Sequence, residues 1–201
     1  MATLLAVVGF LAAIITKANS LDCEQCKRQG PEASCTGPVV ACPEGTTKCI
    51  QGLENDTLHG EVVLTAYKTC FVPSIPEIVC TETDHQYRSA AYVVRYNTHC
   101  SSDNSPLEVP PLNNTLNGYK CPDCFSDKSS TEECKSDKEI ECTGREMECF
   151  EYRGIVQRTE KEIIHISLKG CVTTDAWHLS KFLPGTKIKQ STLIISKAKP
   201  V

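Results

Sequence analysis

Two runs of cysteines with nearly the same spacing constrain this chain more than any other feature of it. The 14 cysteines stand at positions 23, 26, 35, 42, 49, 70, 80 and 100 and, after a gap, at 121, 124, 134, 142, 149 and 171. The residues between successive cysteines number 2, 8, 6, 6 and 20 in the first run and 2, 9, 7, 6 and 21 in the second. Five matching intervals indicate two copies of one cysteine-framed unit. An even cysteine count fits disulfides in an oxidising compartment or thiolate metal sites in a reducing one, and the N-terminus favours the first.

Leu4 to Ile15 is an apolar run of 12 residues, followed by small residues at Ala18 and Ser20. Such a run is shorter than the about 20 residues that cross a bilayer, and the small residues suit signal peptidase. Residues 1–20 are therefore expected to be a signal peptide cut before Leu21, which makes the protein secreted and extracellular. Without Lys17 the remaining 181 residues carry 20 basic and 25 acidic side chains, a net charge of -5. That balance offers no general attraction to nucleic acid or to an anionic membrane. The charges are unevenly spread: residues 176–201 hold five lysines and no acid.

The five Phe, six Tyr and one Trp are spread along the chain, so no single large aromatic-rich core is expected. Units of this size need cross-links to offset chain entropy. Between the fifth and sixth cysteines of each unit, alternation on both sides of a turn predicts a hairpin. In the second unit Ile164, Ile166 and Leu168 share one face and His165, Ser167 and Lys169 the other, with the turn near Gln157 to Lys161. In the first unit Val62, Leu64 and Ala66 alternate with Val63, Thr65 and Tyr67, and Asn55 to Gly60 supply turn chemistry. Ala90 to Tyr96 reads as a further strand. No sustained helical period appears, so the class is all-β.

Several stretches resemble a known family: Leu-Asp-Cys-Glu-Gln-Cys from Leu21, Asn117-Gly-Tyr-Lys-Cys-Pro-Asp-Cys-Phe125, and Leu-Lys-Gly-Cys-Val closing the second hairpin. They resemble two-domain three-finger proteins of the urokinase-receptor-like family, which includes the gamma-type phospholipase A2 inhibitors. Gly52-Leu-Glu-Asn-Asp-Thr-Leu, Val63-Leu-Thr-Ala-Tyr-Lys-Thr-Cys70, Val109-Pro-Pro and Ile140-Glu-Cys-Thr-Gly144 bring the resemblance closer to the sodefrin precursor-like factors, courtship pheromone proteins of salamanders and newts. The resemblance implies two disulfide-rich three-finger (snake-toxin-like) domains in tandem, at 21–104 and 119–175, joined by a linker at 105–118. It also implies the pairs Cys23–Cys49, Cys26–Cys35, Cys42–Cys70 and Cys80–Cys100, then Cys121–Cys149, Cys124–Cys134 and Cys142–Cys171. Asp175 stands where the family has a cysteine and none follows, so the second domain lacks a stapled third finger. Residues 176–201 are accordingly expected to be a basic, mobile tail.

For function, the resemblance implies a pheromone that binds a chemosensory receptor, or an inhibitor that binds a secreted phospholipase A2. A further alternative is a precursor that releases a short C-terminal peptide such as Gln190 to Lys197. No cofactor, metal site or catalytic residue is expected. Cys23-Glu-Gln-Cys26 and Cys121-Pro-Asp-Cys124 stand 94 residues apart in a chain read as oxidised, which argues against zinc. None of the five histidines precedes an aspartate and no Gly-x-Ser-x-Gly elbow occurs, so no esterase or phospholipase machinery is legible. Sequons at Asn55 and Asn113 suit glycans, the first near the predicted hairpin tip. Arg153, Arg158, Glu160 and Lys161 cluster near the other tip and are the candidate protein-binding residues. Leu193 to Ile195 is too short a run, and too soon followed by Lys197 and Lys199, to encode a lipid anchor.

Overall fold

Strands dominate because the apolar residues alternate with polar ones between cross-linked ends. The structure, a computed structural model, describes residues 21–81, 84–101, 113–128, 133–135, 137–174, 176–179 and 181–201. The expected signal peptide, most of the expected linker and Asp175 lie outside these residues. The first domain runs through β1 (Asp22–Glu24), β2 (Cys26–Gln29), β3 (Val39–Ala41), β4 (Cys49–Leu58), β5 (Glu61–Cys70), the short helix α1 (Ile78–Thr81), β6 (Asp84–Arg88) and β7 (Tyr92–Ser101). The second has β8 (Leu116–Pro122), β9 (Cys124–Ser126), β10 (Glu139–Thr143), β11 (Glu148–Gln157), β12 (Ile163–Val172), α2 (Ala176–Leu179), β13 (Lys187–Lys197) and β14 (Lys199–Pro200). Among the described residues no helix is long and apolar enough to cross a membrane. The chain is all-β, with two three-finger-type domains in tandem.

Disulfides join Cys23 to Cys49, Cys26 to Cys35, Cys42 to Cys70 and Cys80 to Cys100 in the first domain. In the second they join Cys121 to Cys149, Cys124 to Cys134 and Cys142 to Cys171. The close sulfur triads Cys23/Cys42/Cys70 and Cys121/Cys142/Cys171 arise where two such bridges pack side by side, and bridged sulfurs offer no thiolate to a metal.

One nine-stranded sheet crosses both domains, in the order β13-β11-β12-β6-β7-β4-β5-β2 with β9 also on β12. The seam is the pairing of β6 with β12, where Arg88 faces Cys171 and Tyr87 faces Val172. Gly170 permits it: a Cβ there would lie 1.9 Å from the carbonyl oxygen of Arg88. The inner face of this sheet carries one core, drawn from both domains and holding seven aromatic side chains, Tyr67, Phe71, Tyr87, Tyr92, Tyr96, Phe150 and Tyr152. The expectation that no large aromatic core forms is thereby corrected. The first domain supplies five of these rings and the second two, and the seam brings both sets into one core.

Three further expectations change. The first hairpin turns only at His59 and Gly60, both with positive φ (49° and 86°), the two-residue geometry that matches strand twist. Asn55 therefore sits within β4, half-buried between β5 and β7, rather than at the tip. The expected linker ends earlier, because β8 starts at Leu116. The expected mobile tail is a strand: β13 pairs with β11 along its length, and Ile188 and Leu193 pack on the core. β11 is a central strand with a second edge to satisfy, and residues 187–197 satisfy it without a disulfide. The second domain thus extends beyond 175.

Candidate binding crevice

The tip of the β11–β12 hairpin is locally determined. The Arg158 N–H donates to the Glu162 carbonyl at 3.0 Å, and the Thr159 hydroxyl accepts from the N–H groups of Lys161 at 3.3 Å and Glu162 at 3.0 Å. This turn directs Arg158 inward, onto the first domain. Its side chain is 1% exposed; Nε donates to Asp56 Oδ1 at 2.6 Å, Nη1 to Glu162 Oε1 at 2.7 Å and Nη2 to the Glu61 carbonyl at 3.0 Å. Arg158 is thus a clamp between domains, which corrects its reading as an exposed contact residue. A buried guanidinium keeps its charge only among acceptors, and Asp56 provides the main one.

Asp56 belongs to a wider buried cluster. It accepts from the Tyr92 hydroxyl at 2.6 Å and lies 2.7 Å from Thr186 Oγ1. That hydroxyl is also 2.5 Å from Glu54 Oε1, which accepts the Thr186 N–H at 2.8 Å. One hydroxyl hydrogen serves one of the two carboxylates, so the second oxygen contact calls for a carboxyl proton. Glu54 is the group that fits. It is fully buried and its Oε2 has no partner, and burial pushes its pKa up to about 7. Burial also raises Asp56, against the pull of Tyr92 and Arg158.

Outside this cluster the surface opens. A groove of about 600 Å3 runs between Gly30 and Pro31 of the first finger, Val62 to Leu64 at the start of β5, and Thr159 of the opposite tip. Val62 is 54% exposed. A smaller pocket of about 60 Å3 adjoins it, sharing Gln29 and Thr159 and rimmed by Lys27, Glu160 and Lys187. Gln29 bridges the domains, donating to the Arg158 carbonyl at 2.9 Å and to Thr65 Oγ1 at 3.3 Å. Burial lowers the Lys187 pKa, with Lys27 adding to the effect. The crevice offers an apolar wall beside a polar end, which suits recognition of a protein surface.

Of the candidate residues, Glu160 and Lys161 are exposed at the tip, and Glu160 lines the smaller pocket. Arg153 stands half-buried in mid-strand, paired with Ser167 and Thr192, away from that tip. Asn113 is exposed just before β8. Sequence reasoning missed Glu54, Asp56 and Thr186. Glu54 and Asp56 sit two apart in β4, and Glu54 lies opposite Thr65, in phase with Tyr67, so two acids on the core face was the available signal. Thr186 joins them only through tertiary structure. A second interdomain ion pair, Arg88 with the fully buried Glu146, closes the seam from the other side at 2.8 Å, and Gln86 adds a bond to Glu146 at 3.0 Å.

The chain is 29% identical over 114 residues to Protein RoBo-1 of Rattus norvegicus, a match over 55% of this chain and 45% of that protein. The chain thus matches a little under half the length of that relative. It also aligns with the crystal structure of mouse TEX101 at 17% identity and a TM-score of 0.38, over 88% of this chain and 99% of that one. The model of the u-PAR/Ly-6 domain matches twice, at residues 19–106 and 117–194, the second match reaching into β13. With both halves of the sheet covered, the chain belongs to the u-PAR/Ly-6 domain family, whose modules mediate protein–protein interaction rather than catalysis.

Proposed function

We propose that this chain is a secreted, non-enzymatic protein that binds a partner protein at the crevice between its first finger and the Arg158 tip. The observation that carries this reading is the crevice itself, an apolar groove built from both domains and backed by a buried clamp. Pre-arranged apolar walls beside a polar rim reduce the ordering cost of association. Exposed Glu160 and Lys161 would flank the partner there, and a glycan on Asn113 would stand clear of it.

The finer identity rests on the sequence stretches quoted above. They favour a courtship pheromone of the sodefrin precursor-like group that acts on a chemosensory receptor. Purified protein applied to females would raise receptive behaviour, and Val63→Asp, which charges the groove wall, would abolish the effect while leaving the disulfides intact. Unchanged behaviour with the wild-type protein would sink the pheromone reading. Loss of secreted phospholipase A2 activity at near-stoichiometric ratio would favour the inhibitor reading instead. Release of a peptide from 190–197 requires stripping β13 from β11, so intact mass after trypsin-like proteolysis under native conditions would count against it.

A further inference from the structure

The two domains place the same strands in the same order, but one position is filled in the first domain and open in the second. β7 and β13 occupy equivalent places, each antiparallel to the second-finger strand of its domain. β7 has β6 on its other side, whereas among the described residues no strand pairs with the outer side of β13. The packing reflects this. The inward residues of β7, Tyr92, Val94 and Tyr96, are each 0% exposed. On β13 the inward residues are less covered: Leu193, opposite Tyr152, is half-buried, and Ile195, opposite Phe150, is 41% exposed.

The backbone on that side is also available. Because Arg158 bonds Glu162 and Ala198 bonds Met147, the even-numbered residues at the end of β13 point their N–H and C=O groups to β11. Leu193 and Ile195 therefore present theirs to the open side. An exposed edge of this length with apolar residues is a template for another strand.

Charge selects the occupant. β13 carries exposed Lys189 and Lys197, and residues 176–201 contain no acid. Antiparallel pairing of two copies would line one shared edge with Lys187, Lys189 and Lys197 of each and no acid, an unfavourable like-charge arrangement. The filled position in the first domain offers the complementary solution, since Asp84 of β6 takes a bidentate ion pair from Arg95 of β7 at 2.7 and 3.0 Å. We infer that the open side of β13 is a β-augmentation site, which takes an extended acidic segment of a partner protein as the strand that the second domain lacks. This surface lies on β13, apart from the Val62–Leu64 groove, and the inference stands independently of that groove.

The test uses the full mature chain and three synthetic peptides: one alternating Glu with Val and Tyr, the same peptide with Lys for Glu, and the acidic one N-methylated on alternate amides. Binding is read by fluorescence anisotropy and by amide and isoleucine methyl shifts. The acidic peptide binds and shifts Leu193, Ile194 and Ile195, the basic peptide does not bind, and methylation weakens binding about tenfold or more by removing ladder bonds. Ile195→Pro, which deletes a donor on the open side and none toward β11, weakens binding about tenfold while leaving the thermal midpoint close to wild type. The double variant Lys189→Glu, Lys197→Glu reverses the preference to the basic peptide, and no core residue is altered. Equal binding of both peptides, shifts centred on Val63, no binding at millimolar peptide, or concentration-dependent dimerisation through β13 would each overturn the inference.

Discussion

The two domains share a cysteine frame and a strand order, yet they depend on each other unequally. Their second-finger tips show it first. In the first domain the tip is an exposed His59–Gly60 turn whose contact with the second domain is an edge-to-face meeting of His59 and Phe125 rings, 5.1 Å apart. In the second domain the equivalent tip drives a guanidinium into the first domain and bonds Asp56 there. One tip rests on its neighbour and the other is anchored in it. A repeated unit can thus diverge where its copies meet while keeping the disulfide frame that makes each copy foldable.

Removing the anchor should have the largest effect. Arg158→Met keeps much of the side-chain volume but leaves Asp56 buried without its countercharge, and loss of one partner of a buried pair costs about 3–5 kcal/mol. His59→Ala, the matching change at the other tip, is expected to cost under about 1 kcal/mol. Denaturant midpoints of the two variants measure the contrast directly. Equal losses would mean that the tips are equivalent after all.

The buried cluster behind the anchor carries a pH dependence through Glu54 of β4. Glu54 has its pKa raised from 4.5 to about 7. The folded protein then holds a proton over a range where the unfolded chain has lost it. Stability from this group is full below about pH 4.5 and falls as pH rises through about 7, with a total near 3 kcal/mol at 1.36 kcal/mol per unit. Glu54→Gln retains an oxygen acceptor for Thr186 and removes the titration. Its unfolding free energy should lose this component between about pH 5 and about pH 8.5, making it the more stable protein at the alkaline end. Parallel pH profiles for wild type and variant would rule the mechanism out.

At the seam the effect should be smaller. Gly170→Ala sets a methyl against the Arg88 carbonyl, so β6 must move from β12 at a cost of about 1–3 kcal/mol. Because β6 also covers β7, the disturbance should reach the first domain's core. Amide exchange would then quicken in β7 while β13 is unaffected. Uniform protection in β7 would separate the seam from that core.

How much of this was legible in the sequence follows from the range over which each feature is specified. The tandem arrangement and the all-β class are written locally, in cysteine intervals and in hairpins such as 164–169, where alternation marks the face. The shared core was not legible, because it depends on β6 meeting β12 across the linker. β13 was masked by its own composition: lysines beside Leu193 to Ile195 without a cysteine resemble a solvated tail, and its register shifts opposite Gly154 and Ile155. Arg158 misled for a related reason. A charged residue next to a turn reads as exposed unless its partner is known, and Asp56 is 102 residues away.

The third-finger position gives the most direct comparison and the smallest expected effects. Val94→Ala in β7 and Leu193→Ala in β13 remove side-chain carbon from equivalent strands on the same inward face. Val94 is 0% exposed under β6, so its truncation leaves a cavity that the surrounding rings cannot readily fill, at about 1–3 kcal/mol. Leu193 loses more carbon, yet it is half-buried at an edge where water already reaches the core, so about 1 kcal/mol is expected. Ile195→Ala, at 41% exposure, should cost under about 0.5 kcal/mol. Chemical denaturation of the three variants ranks them, and the informative result is the order rather than any one value. If Leu193→Ala costs more than Val94→Ala, the side of β13 is already closed by some other part of the chain. If the order holds, and an acidic strand peptide raises the cost of Leu193→Ala toward that of Val94→Ala, the added strand has given β13 the cover that β6 gives β7.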